Sequence, residues 1–354
     1  MEFGLSAEQR LLTDSVVRFL RDQAPLARVR RFADADEGRA ADLIVGITEL
    51  GIPALLIADT HGGVGLTALD ACLVAEVLGY HVTPVPFVGN AVIAPIALQM
   101  AGSPAQQRAY LPKLAGGEIV FGAALAQRTG ARAGTGITVS NGRLTGATRF
   151  VLDFAADAYV VADSEDGLHI VMADATGLLR RKLETIDRTR PLGELVFNDT
   201  PAEPLPNANA ANIATILALG RAALAADTLG AAQYMLDQAV DYAKQRHQFG
   251  RPIGSFQAVK HMCAEMAANL EPTRAFMWYT GNAFAALPDE APRLASHFKA
   301  HMSEVGTFVA KTATEVHGGM GFTDLVGLHY WFKRIGFNRQ MLGSPERLRE
   351  EVSI

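Results

Sequence analysis

Apolar positions along the chain set the first reading. From Leu11 they recur about every four residues, at Leu11, Leu12, Val16, Val17 and Leu20, behind a Ser6 that can cap a helix ahead of Glu8 and Gln9. Similar segments predict helices over 38–50, 66–80, 89–101 and 104–115. Breakers part them: Gly51-Ile52-Pro53, the run His61-Gly62-Gly63-Val64-Gly65, and Pro84-Val85-Pro86. Residues 1–117 read as an all-helical domain that closes at Gly116-Gly117.

The pattern then shortens. Ile119–Ala126, Gly136–Val139, Tyr159–Ala162, Leu168–Met172 and Leu195–Phe197 are brief apolar runs separated by Gly, Asp and Asn, as strands would be. Asn141-Gly142, between Thr138-Val139-Ser140 and Arg143-Leu144-Thr145, is a two-residue hairpin signal. Residues 118–205 are expected to form a small β-barrel or sandwich. Beyond Pro206 long helical periods return, over 208–245, 255–286, 291–317 and 325–339. Ile213, Ile216, Leu217, Leu224 and Leu229 share one side of the first, with many alanines between, which suits a closely packed four-helix bundle over 206–354. The fold class is α+β in the order helices, β domain, helices.

Composition narrows the partners. At 354 residues with 49% hydrophobic and 19% charged, the chain can bury a large core. A net charge of −5 supplies no global basic field, so no nucleic-acid partner is expected. No uninterrupted apolar run approaches a membrane span, and the first residues lack a basic-then-apolar leader. Two distant cysteines, Cys72 and Cys263, have no metal-ligand spacing and fit a reducing compartment. A cytoplasmic protein is expected.

Two segments carry chemistry. One is Arg246-His247-Gln248-Phe249-Gly250-Arg251-Pro252-Ile253, followed by Phe256-Gln257; the other is Glu315-Val316-His317-Gly318-Gly319-Met320-Gly321-Phe322-Thr323. With His61-Gly62-Gly63-Val64-Gly65-Leu66, Glu76 and Tyr110-Leu111-Pro112-Lys113-Leu114-Ala115-Gly116-Gly117-Glu118, they resemble, in the right order, the acyl-CoA dehydrogenase family. The resemblance implies FAD shared between subunits, an acyl-CoA substrate and an electron-transfer flavoprotein as acceptor. It places Arg246 on the pyrophosphate, where a fixed guanidinium fork suits two phosphates. Gln248, Phe249, Ile253 and Gln257 match positions lining the adenosine portion. Gly318 and Gly319 match a turn whose backbone N–H groups approach the cofactor. Taken alone, Arg246 could be a surface arginine ending a helix. Glu315 stands where the family has glutamine, and a carboxylate near pyrophosphate costs electrostatically. His317, at an apolar helix end, is assigned no proton chemistry.

The same resemblance shows what is missing. Removing an α-proton from a thioester needs a placed carboxylate. The family's Tyr-Glu-Gly-Thr segment matches Met341-Leu342-Gly343-Ser344, so Leu342 replaces the usual base; its other seat, just before an arginine, is Gly220 preceding Arg221. On the flavin-ring side, Thr-Glu-Pro matches Ala126-Gln127-Arg128, Gly-Ser-Asp is not recognisable beyond it, and Trp-Ile-Thr matches Phe150-Val151-Leu152. Glu346 is the one weak candidate for a substitute base, although Ser344-Pro345-Glu346 reads as the capped start of a closing helix. Asp153 and Asp324 are weaker still, as turn formers.

Three readings follow. The first is a subunit without catalytic residues that works beside a second acyl-CoA dehydrogenase-like subunit in a two-plus-two heterotetramer of fatty-acid or steroid degradation. The second is a self-sufficient homo-oligomer with an atypical base or none. The third is a structural or regulatory subunit free of FAD.

Overall fold

The computed structural model describes residues 4–130 and 136–353. Part of the stretch where Gly-Ser-Asp would follow Arg128 lies at 131–135, outside the described residues. The chain is helical to Ala115, sheet-forming from Phe121 to Pro204, and helical again from Ala210.

The first region holds α1 (Ala7–Gln23), α2 (Leu26–Asp34), α3 (Ala41–Glu49), α4 (Ala68–Tyr80), a π-helical turn over Val88–Ile93 running into α5 (Ala94–Ala101), and α6 (Pro104–Ala115). Ser6 caps α1 as its sequence suggests, with its Oγ accepting from Gln9 N and the Gln9 side chain returning to Ser6 N. Helix α2 is an addition to the expected set. Arg28, Arg30 and Arg31 break up its apolar signal, yet Val29, Phe32 and Ala33 are buried on one face.

The β region forms two four-stranded sheets. One orders β1 (Phe121–Ala124), β4 (Ala158–Ala162), β5 (Leu168–Met172) and β8 (Glu203–Pro204); the other orders β2 (Gly136–Ser140), β3 (Arg143–Val151), β7 (Leu192–Pro201) and β6 (Leu178–Leu183). Ser140 pairs with Arg143 across Asn141-Gly142, both left-handed, which is the predicted hairpin. Two details depart from expectation. The strand expected over Ile119–Ala126 is only β1, because Ala126–Thr129 turns as a 3-10 helix. Strand β6, Leu-Leu-Arg-Arg-Lys-Leu, is mostly exposed and carries no alternating apolar signature.

In the third region α7 (Ala210–Gln245), α8 (Gln257–Ala286), α9 (Ala291–His317) and α10 (His329–Gln340) pack as a bundle, and α11 (Pro345–Val352) closes the chain. By length and composition α7 could cross a membrane, but its apolar window is 89% buried within the protein, as a bundle-core helix requires. Helices α4 and α7 meet backbone to backbone. A Cβ at Gly79 would fall 1.9 Å from Asp227 O, and one at Gly230 would fall 1.8 Å from Glu76 O, so only glycine permits the approach.

Where the three regions meet, Arg334 of α10 is fully buried. It donates to Asp187 Oδ2 at 2.6 Å, Asp227 Oδ2 at 3.2 Å and Thr83 O at 3.3 Å. Arg190 and Asn338 complete the cluster by donating to Asp227 at 2.5 and 2.6 Å. Beside it, half-buried Asp153 accepts from Gly89 N at 2.6 Å and Asn90 N at 3.3 Å, capping the π-helical turn. Burial raises its pKa, yet its carboxylate is taken up by the cap and it does not line the slot described below, so position and not basicity sets it apart from the base weighed above.

Candidate functional site

A slot of about 640 Å³ opens between the β region and α10. Ala123, Ala126, Phe150 and Leu152 wall one side, Phe337, Gln340, Met341 and Leu342 the other, with Thr185 and Ile186 at the mouth. The wall is mainly apolar for a sequence reason: the positions at which the resemblance placed polar flavin contacts carry Ala126 and Leu152, which have no donor to offer. Gln127 and Arg128 turn elsewhere, the first donating to Ser164 Oγ at 3.1 Å and the second pairing with Asp166.

The two positions where the resemblance seats a base meet behind the Leu342 wall of the slot. A Cβ added at Gly220 would lie 2.7 Å from Leu342 Cδ1 and 3.1 Å from Ile93 Cδ1. Aliphatic carbon fills the place where a carboxylate would stand. Two carboxylates remain in the slot lining, Glu184 and Glu194. Glu184 is exposed at the mouth. Glu194 accepts from Arg149 at 2.7 Å and Arg181 at 3.4 Å, and these arginines hold it below the usual carboxylate range, which makes it a poor proton acceptor. Glu346 sits outside the lining. It begins α11, capped by Ser344, and its side chain accepts from Arg339 at 2.7 Å with 63% exposure. Asp324 is exposed on a loop. Among the described residues no His, Cys, Asp and Glu group could hold a metal ion.

A second feature lies at the far end of the bundle, where the two motif segments come together. The Tyr242 ring of α7 stacks on His317 of α9 at 4.6 Å, while His317 Nδ1 meets Ala313 O at 2.8 Å. Burial lowers the His317 pKa, so this is a neutral packing ring. Just beyond it, β9 (His247–Gln248) pairs with β10 (Arg251–Pro252) through a Phe249-Gly250 turn, both residues left-handed. Ile253 N donates to Arg246 O at 2.7 Å and closes the hairpin. Arg246, Gln248, Gln257, Glu315, Gly318 and Gly319 are all exposed, Ile253 is half-buried, and Phe249 is 91% exposed. Gly318 has φ +58 and ψ −141, and a Cβ at Gly318 or Gly319 would meet nothing within 4 Å, so their backbone is open to approach. These residues face outward together. The motif segments included Phe322, 81% exposed, and Arg251, whose guanidinium lies 4.1 Å over the Phe256 ring, but gave them no role, and Leu325, 79% exposed, went unnoticed. Apolar residues in a short loop gave no periodic signal.

Comparison with known proteins agrees with this layout. Family models described as acyl-CoA dehydrogenase, N-terminal domain, and acyl-CoA dehydrogenase, C-terminal domain, match residues 6–118 and 210–353. Acyl-CoA dehydrogenase IpdE2 of Mycobacterium tuberculosis is 33% identical, over 98% of this chain and 97% of its own. Among solved structures, the Tcur3481-Tcur3483 steroid ACAD G363A variant is 28% identical with a TM-score of 0.88, covering 98% of this chain and 96% of that one. The ChsE4-ChsE5 complex from Mycobacterium tuberculosis shares the fold at a TM-score of 0.92 with 24% identity, over 100% of this chain and 98% of that one. The chain belongs to the acyl-CoA dehydrogenase family, whose members are FAD-dependent oxidoreductases.

Proposed function

We propose that this chain is the subunit without a catalytic base in a heteromeric acyl-CoA dehydrogenase, completing the adenosine end of a cofactor whose flavin ring sits in a different, base-bearing subunit. The observation that carries the reading is the contact of Gly220 with Leu342, which leaves neither base position a group that can accept a proton. The relatives support it: the steroid ACAD structure above bears a two-protein name, and by that likeness the substrate class is a bulky acyl-CoA, such as a steroid side-chain thioester.

The residues present fit FAD unequally. At the outward rim, an exposed arginine, a glycine backbone with nothing over it and an exposed phenylalanine suit a pyrophosphate and an adenine. Arg246 would hold the pyrophosphate, with the Gly318 and Gly319 N–H groups beside it; Gln248, Phe249, Ile253 and Gln257 would flank the adenosine. Glu315 is exposed on the last turn of α9, free to point to solvent and away from the phosphates. When bound, FAD supplies the hydride acceptor for α,β-dehydrogenation of an acyl thioester. This chain's residues bind and orient; they move no proton. The electron acceptor is proposed to be an electron-transfer flavoprotein, and the compartment the cytoplasm.

The test is the flavin absorption spectrum of the chain expressed alone and with the acyl-CoA dehydrogenase-like product of an adjacent gene. Flavin and acyl-CoA-dependent bleaching are expected only in the co-purified complex. A yellow, active oligomer of this chain alone refutes the reading.

A further inference from the structure

The turn over Met341–Ser344 is held by more charge than a connecting loop requires. Arg221 of α7 donates Nε to Leu342 O at 2.9 Å, Nη1 to Ser296 Oγ at 3.1 Å and Nη2 to Glu351 Oε2 at 2.8 Å. Lys299 of α9, 1% exposed, donates Nζ to Gly343 O at 3.0 Å and to Arg339 O at 3.4 Å. The turn is strained without such support, because Leu342 and Gly343 have φ of +55 and +113, and a branched side chain is disfavoured in the left-handed region.

The clamp is also electrostatically expensive. The charged groups facing Lys299 are Arg221 from α7, Arg339 from α10 (itself paired with Glu346), and from α11 Glu351, which reaches it only through its pair with Arg221. Among the described residues no carboxylate pairs with the ammonium itself. Burial, reinforced by Arg221 and Arg339, pushes Lys299 down to about 7. An ammonium kept under such conditions has a purpose in what it fixes, and what this turn fixes is one side chain. Leu342 is 7% exposed, lines the slot, and lies against Gly220 beside Ile93 of the π-helical turn.

We propose that Arg221 and Lys299 are positioning residues that pin this turn so that Leu342 plugs the inner end of the slot and excludes an acyl chain from this subunit. The inference deepens the partner-subunit reading and rests on it: a chain without a base that cannot hold acyl-CoA leaves the substrate to the subunit that can use it.

The test is calorimetric binding of octanoyl-CoA to the full-length chain at about pH 6 and about pH 8.5, on either side of the Lys299 transition. Wild type is expected to bind weakly at the lower pH and several-fold tighter at the higher, as the ammonium loses its charge and its grip. Leu342→Ala, with the clamp intact, is expected to bind at least about tenfold tighter at the lower pH, a change of about 1.4 kcal/mol. Because it meets the same ionisation of the ligand, each wild-type value is read against it. Lys299→Met is expected to bind tightly at both pH values, and Lys299→Arg, which stays charged, weakly at both. The plug is overturned if Leu342→Ala binds no tighter than wild type, or if wild type and Lys299→Arg share one pH profile. Neither of those results requires Lys299→Met to fold. Both are distinct from the failure of the partner-subunit reading, which would show as flavin and turnover in the lone chain.

Discussion

Leu342 reaches Gly220: its Cδ1 lies 2.7 Å from the point where a side chain at 220 would begin. The two positions that the sequence resemblance matches to the family's carboxylate are here in contact, the large Leu342 filling the space beside a residue without a side chain. Gly220→Ala should therefore behave differently in two backgrounds. In wild type the added methyl overpacks the contact at about 1–3 kcal/mol, which outweighs or cancels the roughly 1 kcal/mol that alanine brings to a helix. With Leu342→Ala beside it, only Ile93 at 3.1 Å still crowds the methyl, so the same substitution should cost clearly less and move toward the roughly 1 kcal/mol gain of alanine in a helix. A double-mutant cycle on urea midpoints reads the difference, and additive effects would contradict the contact.

Lys299 gives the protein a stability that depends on pH in a stated direction. Its pKa falls from 10.5 in the unfolded chain to about 7 in the folded one. Between those values the unfolded chain binds more protons, so stability rises with pH, at up to about 1.4 kcal/mol per unit from this group. Below about 7 both states are protonated and the penalty is fully present. Lys299→Met should flatten the rise between neutral and mildly alkaline pH in denaturant titrations, and an unchanged slope would count against a desolvated ammonium.

The arginine at the meeting of the three regions should be the most costly one to lose. Arg334→Met leaves Asp187 and Asp227 buried with one fewer cation, and about 3–5 kcal/mol of unfolding free energy should go with it. Equilibrium unfolding in urea measures this. A loss below about 1 kcal/mol would mean that Arg190 alone neutralises the pair.

Arg246→Ala should do the opposite. The side chain is exposed, so the lone chain should unfold within about 0.5 kcal/mol of wild type. In the co-purified complex, loss of a charge-assisted contact to pyrophosphate should weaken FAD retention by roughly 10- to 100-fold, equivalent to about 1.5–3 kcal/mol. Flavin absorbance per complex after dialysis provides the measurement.

How far the sequence led is clearest at particular elements. Helices α6 and α9 begin and end where their spacing puts them, because Ser103-Pro104 and the Gly318-Gly319 turn punctuate them. Helix α2 and strand β6 were illegible, since both are arginine-rich pieces whose burial or pairing is decided by distant neighbours. At the site, the identity of Leu342 and Gly220 was legible, but their contact was not: 122 positions separate them, and only packing closes that gap. The hairpin at 246–253 was hidden by Phe249, because a bulky residue in the left-handed region is not what a turn rule anticipates. Lys299 was invisible for the same kind of reason. A lysine inside an amphipathic helix reads as solvent-facing until the fold turns it inward.

That hairpin has a consequence for assembly. Phe249 protrudes, yet a two-residue turn, the Arg246–Ile253 closure and the Arg251–Phe256 stack already fix its backbone and base. A knuckle that is rigid before contact surrenders little conformational freedom when a neighbour receives it. If the proposed partner subunit seats on it, the rate of assembly is governed by orientation on encounter and not by any folding of the joint, and a chain kept apart shows an aromatic ring to whatever else is near.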